Sequence, residues 1–238
     1  YYYAFQPYLD LKIVKPAVRK FYKQRVRLNG NYVYEMGSLY RNTTVGGSAI
    51  YAFNYKKRVH QVDANVRADY YNNAGKAGLT DFTSDLLNLQ VELKYRLEYW
   101  KEKNESIEIR AYLGQNLFYN GAFNTRYGFG MGGQTGSMDA FYENYLFGRN
   151  ETSGLWANQR IENQGGFKTL SGLGTTNQML FTTNIFIDLP YVPLVGLFAD
   201  YGMFENNAGN MDSAYDFGVG LRLADKFAVY FPVYESDN

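Results

Sequence analysis

The chain has no cysteine, one histidine and five prolines in 238 residues. Without cysteine there is no disulfide framework and no thiolate metal site. A single histidine, His60, removes H-E-x-x-H zinc sites, histidine clusters and Ser-His-Asp triads. Neither sign of charge is in excess: 24 Lys+Arg against 23 Asp+Glu make no electrostatic case for nucleic acid as a partner. No apolar run approaches the ~20 residues of a membrane helix, and the mean hydropathy is −0.40. That scan is blind to membrane β-barrels, whose strands spend only alternate residues on lipid.

What is abundant is aromatic residues and glycine: 24 Tyr, 17 Phe and 24 Gly. A tyrosine content of this size suits a protein needing side chains that are apolar along the ring and wet at the tip. The organising stretch is 87–99. Its odd positions are Leu87, Leu89, Val91, Leu93, Tyr95, Leu97 and Tyr99, and every even position between them is polar. A helix would smear this pattern over all its faces, whereas a strand sorts it into two.

The same alternation predicts about twelve strands and no amphipathic helix. They lie at 4–14, 25–36, 46–56, 61–70, 87–99, 107–113, 141–148, 156–169, 178–189, 194–203, 215–223 and 227–233, with the pattern poorest in 141–148 and 156–169. Loops are expected at 71–85, which is polar, at the glycine-rich 119–139, and at 205–213.

Soluble sandwiches alternate too, so three further features choose between oil phases. The clearest strands run longer than the ~5–6 residues of ordinary globular strands and match the ~9–11 of tilted membrane strands. Connections alternate short and long, as in membrane barrels. A barrel of about twelve strands is too wide for inward side chains to fill, so its apolar face must point outward. Those outward faces carry almost no charge over their middles, where Lys or Arg would cost roughly 2–4 kcal/mol in a bilayer. Tyr32, Tyr34, Tyr55, Tyr70 and Tyr99 gather near strand ends, where an aromatic girdle belongs.

The expectation is an all-β protein: residues 1–238 form one antiparallel transmembrane β-barrel of the bacterial outer membrane, with lipopolysaccharide and phospholipid as its surroundings. If short turns are periplasmic, both ends of the chain lie outside. The segment then reads as part of a larger barrel, with at least one further strand at each end.

The polar faces put Arg25, Arg27, Asp63, Arg67, Glu92, Lys94, Arg96, Glu108, Arg110 and Arg222 toward the lumen. Acid–base catalysis needs only two well-placed carboxylates, but mixed signs along these faces fit a salt-bridged, wet wall better. A tight turn after 87–99 sets Arg96 opposite Glu108. No catalytic residue, metal ligand or cofactor is expected in these residues. His60 falls on the outward face beside a basic turn and reads as interfacial. Residues 128–133 spell G-F-G-M-G-G, a literal G-x-G-x-x-G. Lacking the strand and helix of a βαβ unit, they are expected to form a flexible surface loop. Acceptor triplets at Asn42, Asn104 and Asn150 arise often by chance.

Several words carry a family likeness: R-L-N-G-N-Y-V-Y-E (27–35), Y-L-F-G-R-N-E-T-S-G (145–154), G-G-F-K (165–168), N-Q-M-L-F-T-T-N (177–184), Y-D-F-G-V-G-L-R-L (215–223) and F-A-V-Y-F-P-V-Y-E-S (227–236). Together they resemble the C-terminal outer-membrane region of Bacteroidota aminopeptidase-N-like (gluzincin) metallopeptidase family proteins. The resemblance covers most of the chain in consistent order. In that family a peptidase part precedes the strand-patterned region; the resemblance implies a parent chain with more strands before this segment and a closing strand after it, and leaves open whether this parent retains the peptidase part. The family's zinc motif has no counterpart here, so no catalytic residue transfers. Three functions follow as expectations. One is a membrane anchor or scaffold of a peptidase-like protein, or a subunit of a complex with other outer-membrane or periplasmic proteins. A porin-like channel is the second, and a soluble all-β binding protein the third.

Overall fold

A computed structural model describes residues 2–17, 20–36, 40–77, 80–100, 105–120, 128–133, 163–168, 175–192, 194–206, 208–223 and 227–236. The described residues form thirteen strands: β1 (Tyr2–Phe5), β2 (Tyr8–Ala17), β3 (Lys20–Met36), β4 (Tyr40–Lys57), β5 (His60–Ala77), β6 (Thr80–Trp100), β7 (Glu105–Asn120), β8 (Phe129–Gly130), β9 (Thr175–Thr176), β10 (Met179–Asp188), β11 (Val195–Glu205), β12 (Met211–Leu223) and β13 (Phe227–Glu235). Eleven of them form one antiparallel sheet. β1 and β2 share its first edge, both against β3, and the order then runs β3-β4-β5-β6-β7-β10-β11-β12-β13. Pro7 lacks an N–H and separates β1 from β2, but its carbonyl still accepts from Gly30 N at 2.9 Å.

Ten of the twelve expected strands occupy the ten side-by-side places of this sheet. Of the remaining two, 141–148 lies outside the described residues, and the described part of 156–169, residues 163–168, is turn and irregular backbone. The loop expected at 71–85 is corrected: β5 and β6 pair without a break from Tyr71↔Leu86 to Ala77↔Thr80. Strands two to five are likewise longer than expected, β6 reaching 21 residues. Here the ladder continues past the stretch in which one face must be apolar, so the composition turns polar while the backbone pairing persists. The strict alternation of short and long connections therefore fails after β3 and β5.

One end of the sheet carries the turns after β2, β4, β6, β10 and β12, here the turn end. The tall β3–β4 and β5–β6 hairpins, Tyr2 and Glu235 lie at the opposite end, here the tall end. Both termini of the described chain thus share one end. Among the described residues β1–β2 and β13 each have a neighbour on one side only, so the sheet is open.

Its two faces are sorted inside out. The register carries a row Leu11–Val26–Tyr51–Val66–Val91–Leu113–Phe181–Met203 across eight strands on the expected outward parity. Leu93 on that parity is 49% exposed and Leu197 46%. Three residues along, on the opposite parity, runs Lys23–Asn54–Asp63–Lys94–Arg110–Asn184–Asp200–Asp216, polar on every strand. Its last four members are the buried ones, Arg110 at 7%, Asn184 at 5%, Asp200 at 3% and Asp216 at 2%. A one-residue slip would exchange the two faces of a strand, in β6 setting Leu93 or Tyr95 in the polar row and Gln90 or Glu92 outside, which pins the register.

Hydrogen exchange tests the corrected hairpin. Amides of 71–77 and 80–86 should exchange at least about a hundredfold slower than free peptide; exchange at loop rates would refute the pairing.

Candidate functional site

The inner face of β7, β10, β11 and β12 is covered by two short segments, 128–133 and 163–168. They are tied to each other: Gly165 N donates to Gly130 O at 3.0 Å, Phe167 N to Met131 O at 2.9 Å, and Gly130 N to Gln164 Oε1 at 2.8 Å. β8 and β9 pair alongside. Phe129, Met131 and Phe167 form one buried cluster with Tyr112, Leu180, Phe204 and Ala214 of the wall. Burying each large apolar side chain stabilises by about 1.5–3 kcal/mol.

The G-F-G-M-G-G stretch is thus corrected from surface loop to buried insert. No helix follows it among the described residues, so the dinucleotide reading has no support either. Inward glycines of the wall make the room. A Cβ at Gly202 would stand 2.9 Å from Met131 Cε and 3.0 Å from Thr182 Cγ2, and one at Gly114 would stand 2.7 Å from Phe129 Cδ1.

Polar contacts complete the attachment. Arg110 donates from Nε to Glu92 and from Nη1 to Asn184 Oδ1 at 2.8 Å. Asn184 Nδ2 donates to Gly165 O at 3.1 Å and Asp200 Oδ1 at 3.0 Å. Asp200 Oδ2 accepts from Lys168 N at 3.0 Å, and Lys168 Nζ donates to Gly166 O. Every wall residue in this chain of bonds has inward parity, and both its carbonyl acceptors are on the insert. Charge-assisted bonds inside a water-poor concavity are stronger than their surface equivalents.

All ten residues expected toward the lumen share this inner parity, and the fold divides them into local groups instead of one site. Arg25 donates to Asp10 at 2.8 and 2.6 Å, and Arg27 reaches the same carboxylate at 3.2 Å. Asp63 accepts from Gln61 at 2.8 Å and from Asn54. Arg67 sits 2.7 Å from the fully buried Asp69. Glu92 holds Lys94 at 3.3 Å as well as Arg110. Arg96 and Glu108 are direct register partners 3.6 Å apart, as expected from the tight turn. Glu108 also takes Arg222 at 3.0 Å, whose guanidinium lies 3.5 Å above the Phe186 ring.

Among the described residues most carboxylates on this face meet cations or amides, while the buried register partners Asp200 and Asp216 also bring two carboxyl groups into contact with each other. Among the described residues no group of three or more His, Cys, Asp or Glu is placed to hold a metal ion. Lys23, Arg25, Asn54, Asp63, Asn65 and Glu92 border a recess of 190 Å³ under β3–β6, away from the insert. His60 is exposed on the outer face, with Nδ1 2.8 Å from the Tyr95 hydroxyl.

The alternation had already set Asp10, Asp69 and Tyr112 on polar faces, but Lys168, Asn184 and Asp200 were missed. Asn184 and Asp200 stand on inward parity in strands already recognised, so the alternation could have supplied them. Lys168 could not be found this way, because its segment has no period. Compared with family models, curated proteins and solved structures, the chain gives no match.

Two measurements test this geometry. A double-mutant cycle on Arg96→Gln and Glu108→Gln, read by urea unfolding in lipid, should show coupling of roughly 0.2–1 kcal/mol; zero coupling would refute the pairing. Gly202→Leu should destabilise by about 1–3 kcal/mol through overpacking and open 128–133 to protease while the sheet persists.

Proposed function

We propose that this chain is wall and insert of an outer-membrane β-barrel that anchors or scaffolds a peptidase-like protein, or serves as a subunit of an outer-membrane complex. No catalysis is assigned to this segment. The observation that carries the reading is the inside-out sorting. An apolar face running across ten strand positions far exceeds the few hundred Å² that soluble monomers leave exposed. In water each of its large side chains would forfeit about 1.5–3 kcal/mol of burial; against acyl chains that loss disappears.

Dimensions agree. His60 and Tyr70 bound the apolar parity of β5 and stand about ten residues apart, or roughly 34 Å along a strand. A tilt near 40° reduces this to about 26 Å along the normal, close to the ~25 Å apolar band of membrane barrels. β5 then continues to Ala77 with a wetter face, where Asn72 donates to Asp85 at 2.6 Å.

Lipid tolerates no unpaired strand edge, so the open edges at β1–β2 and β13 require further strands or each other. β2 runs from the tall end to the turn end and β13 returns. Antiparallel closure therefore takes an even number of strands between them, zero included. This is compatible with the larger barrel implied by the resemblance to aminopeptidase-N-like proteins, which also supports the anchor reading.

The insert under β7–β12 favours anchor over open pore. A porin-like channel is the second reading, favoured by the recess under β3–β6, which none of the described insert residues lines.

Val91→Arg, on the outward row, should destabilise the barrel by roughly 2–4 kcal/mol, while Asn65→Arg on the inner face should cost far less. The protein should fractionate with outer membrane and migrate differently on unheated gels; recovery as a soluble monomer would overturn the reading. Planar bilayers should show no steady current, and single-channel steps would favour the pore.

A further inference from the structure

The turn end of the sheet is chemically divided. Under β10 and β11 it is apolar and aromatic: Trp100 meets Tyr191 edge-on at 5.2 Å, and Val192 and Leu194 are exposed. Under β2–β5 it is cationic. Lys57 and His60 are register partners on the outward parity, joined by Arg58, whose φ of 57° places it at the turn tip. Lys57, Arg58 and His60 are exposed, as is Lys15 on the outward parity of β2. Lys15 stands two strands away, about 12 Å by strand and row spacing, within reach of a shared anion for side chains of this length.

Among the described residues these cations have no counter-charge on their own face. Between the Leu11–Val26–Tyr51–Val66 row and the turns, no Asp or Glu occupies the outward parity of β2–β5. The carboxylates of this end point inward and are engaged there, Glu98 with Lys56 at 2.7 Å and Asp63 with Gln61 at 2.8 Å. One row toward the sheet centre, the register runs Lys15–Tyr22–Tyr55–Val62–Tyr95. The Tyr95 hydroxyl is held by His60 at 2.8 Å. Tyrosines in such a row prefer the boundary between headgroups and acyl chains. Cations lie just below that boundary and apolar side chains just above it.

We infer that this outward corner binds the headgroup phosphate of an anionic phospholipid. Lys15, Lys57 and Arg58 contact the phosphate, and Tyr22, Tyr55 and Tyr95 flank the start of the acyl chains. The inference rests on the membrane reading above and deepens it: with short turns periplasmic, the lipid belongs to the periplasmic leaflet. Three cations without a counter-charge favour an anionic over a zwitterionic headgroup, each near-surface cation contributing roughly fivefold.

Electron spin resonance on the full chain in vesicles tests this, with spin-labelled phosphatidylglycerol and phosphatidylcholine as probes. Wild type should hold at least roughly fivefold more of the motionally restricted phosphatidylglycerol than of phosphatidylcholine. The Lys15→Gln, Lys57→Gln, Arg58→Gln triple variant should restrict the two lipids equally, with its phosphatidylcholine component unchanged. Lys76→Gln, at the tall end, should keep the wild-type preference. Equal restriction in wild type, or a preference that survives the triple variant, overturns the lipid site and leaves the membrane reading standing. No restricted component for either lipid overturns both.

Discussion

The antiparallel ladder, locked to a side-chain period of two, is the constraint on which everything else depends. Backbone pairing fixes which residues stand abreast, and the period fixes which of two environments each one meets. Because apolar and polar rows cross the sheet on opposite parities, the strands favour one common register. Val66, Val91 and Leu113 can stay on the outer row only if Arg67, Gln90 and Gly114 stand together on the inner one. Local propensity, pairing and sidedness thus agree, which is the condition for a single native arrangement.

Within that frame the concave face is not uniform. Under β7–β12 the wall has glycines, buried amides and carboxylates, and it accepts an insert through both apolar packing and hydrogen bonds. Beneath β3–β6 the wall is arginine- and lysine-rich, with each carboxylate already matched. Arg110 stands at the border, bonded to Glu92 on one side and to Asn184 on the other. The two halves therefore differ: one holds a fixed part of the chain, the other bounds a recess that none of the described insert residues lines. The outer face is divided as well, at its turn end, between an aromatic stretch and an uncompensated cationic corner.

Much of this was legible before any coordinates. Residues 87–99 announced a strand because Leu89, Val91, Leu93 and Leu97 needed one solvent and Gln90, Glu92, Lys94 and Arg96 another. The Arg96–Glu108 pairing followed from the same register and a tight turn. The reading stopped at 71–85, where Tyr71, Asn73 and Gly75 continue the ladder without a two-solvent demand to mark it. Backbone hydrogen bonds leave no trace in composition, and the burial of Tyr71 comes from Val33 and Leu86 on other strands, which no local pattern marks. It also failed at 128–133, where glycine suggested exposure. Those glycines lie between Phe129 and Met131, which bury against a wall hollowed at Gly114 and Gly202.

By itself the sequence determined the strands, their parity and the sign of each face, because these are local consequences of a period of two. Tertiary structure alone decided which segment fills the concavity, which carboxylate each arginine meets, and where along the edge the cations stand unopposed. Those outcomes depend on contacts between residues tens of positions apart, such as Arg110 with Asn184 and Asp10 with Arg25. No local pattern encodes such distances; only the closed set of strand registers does.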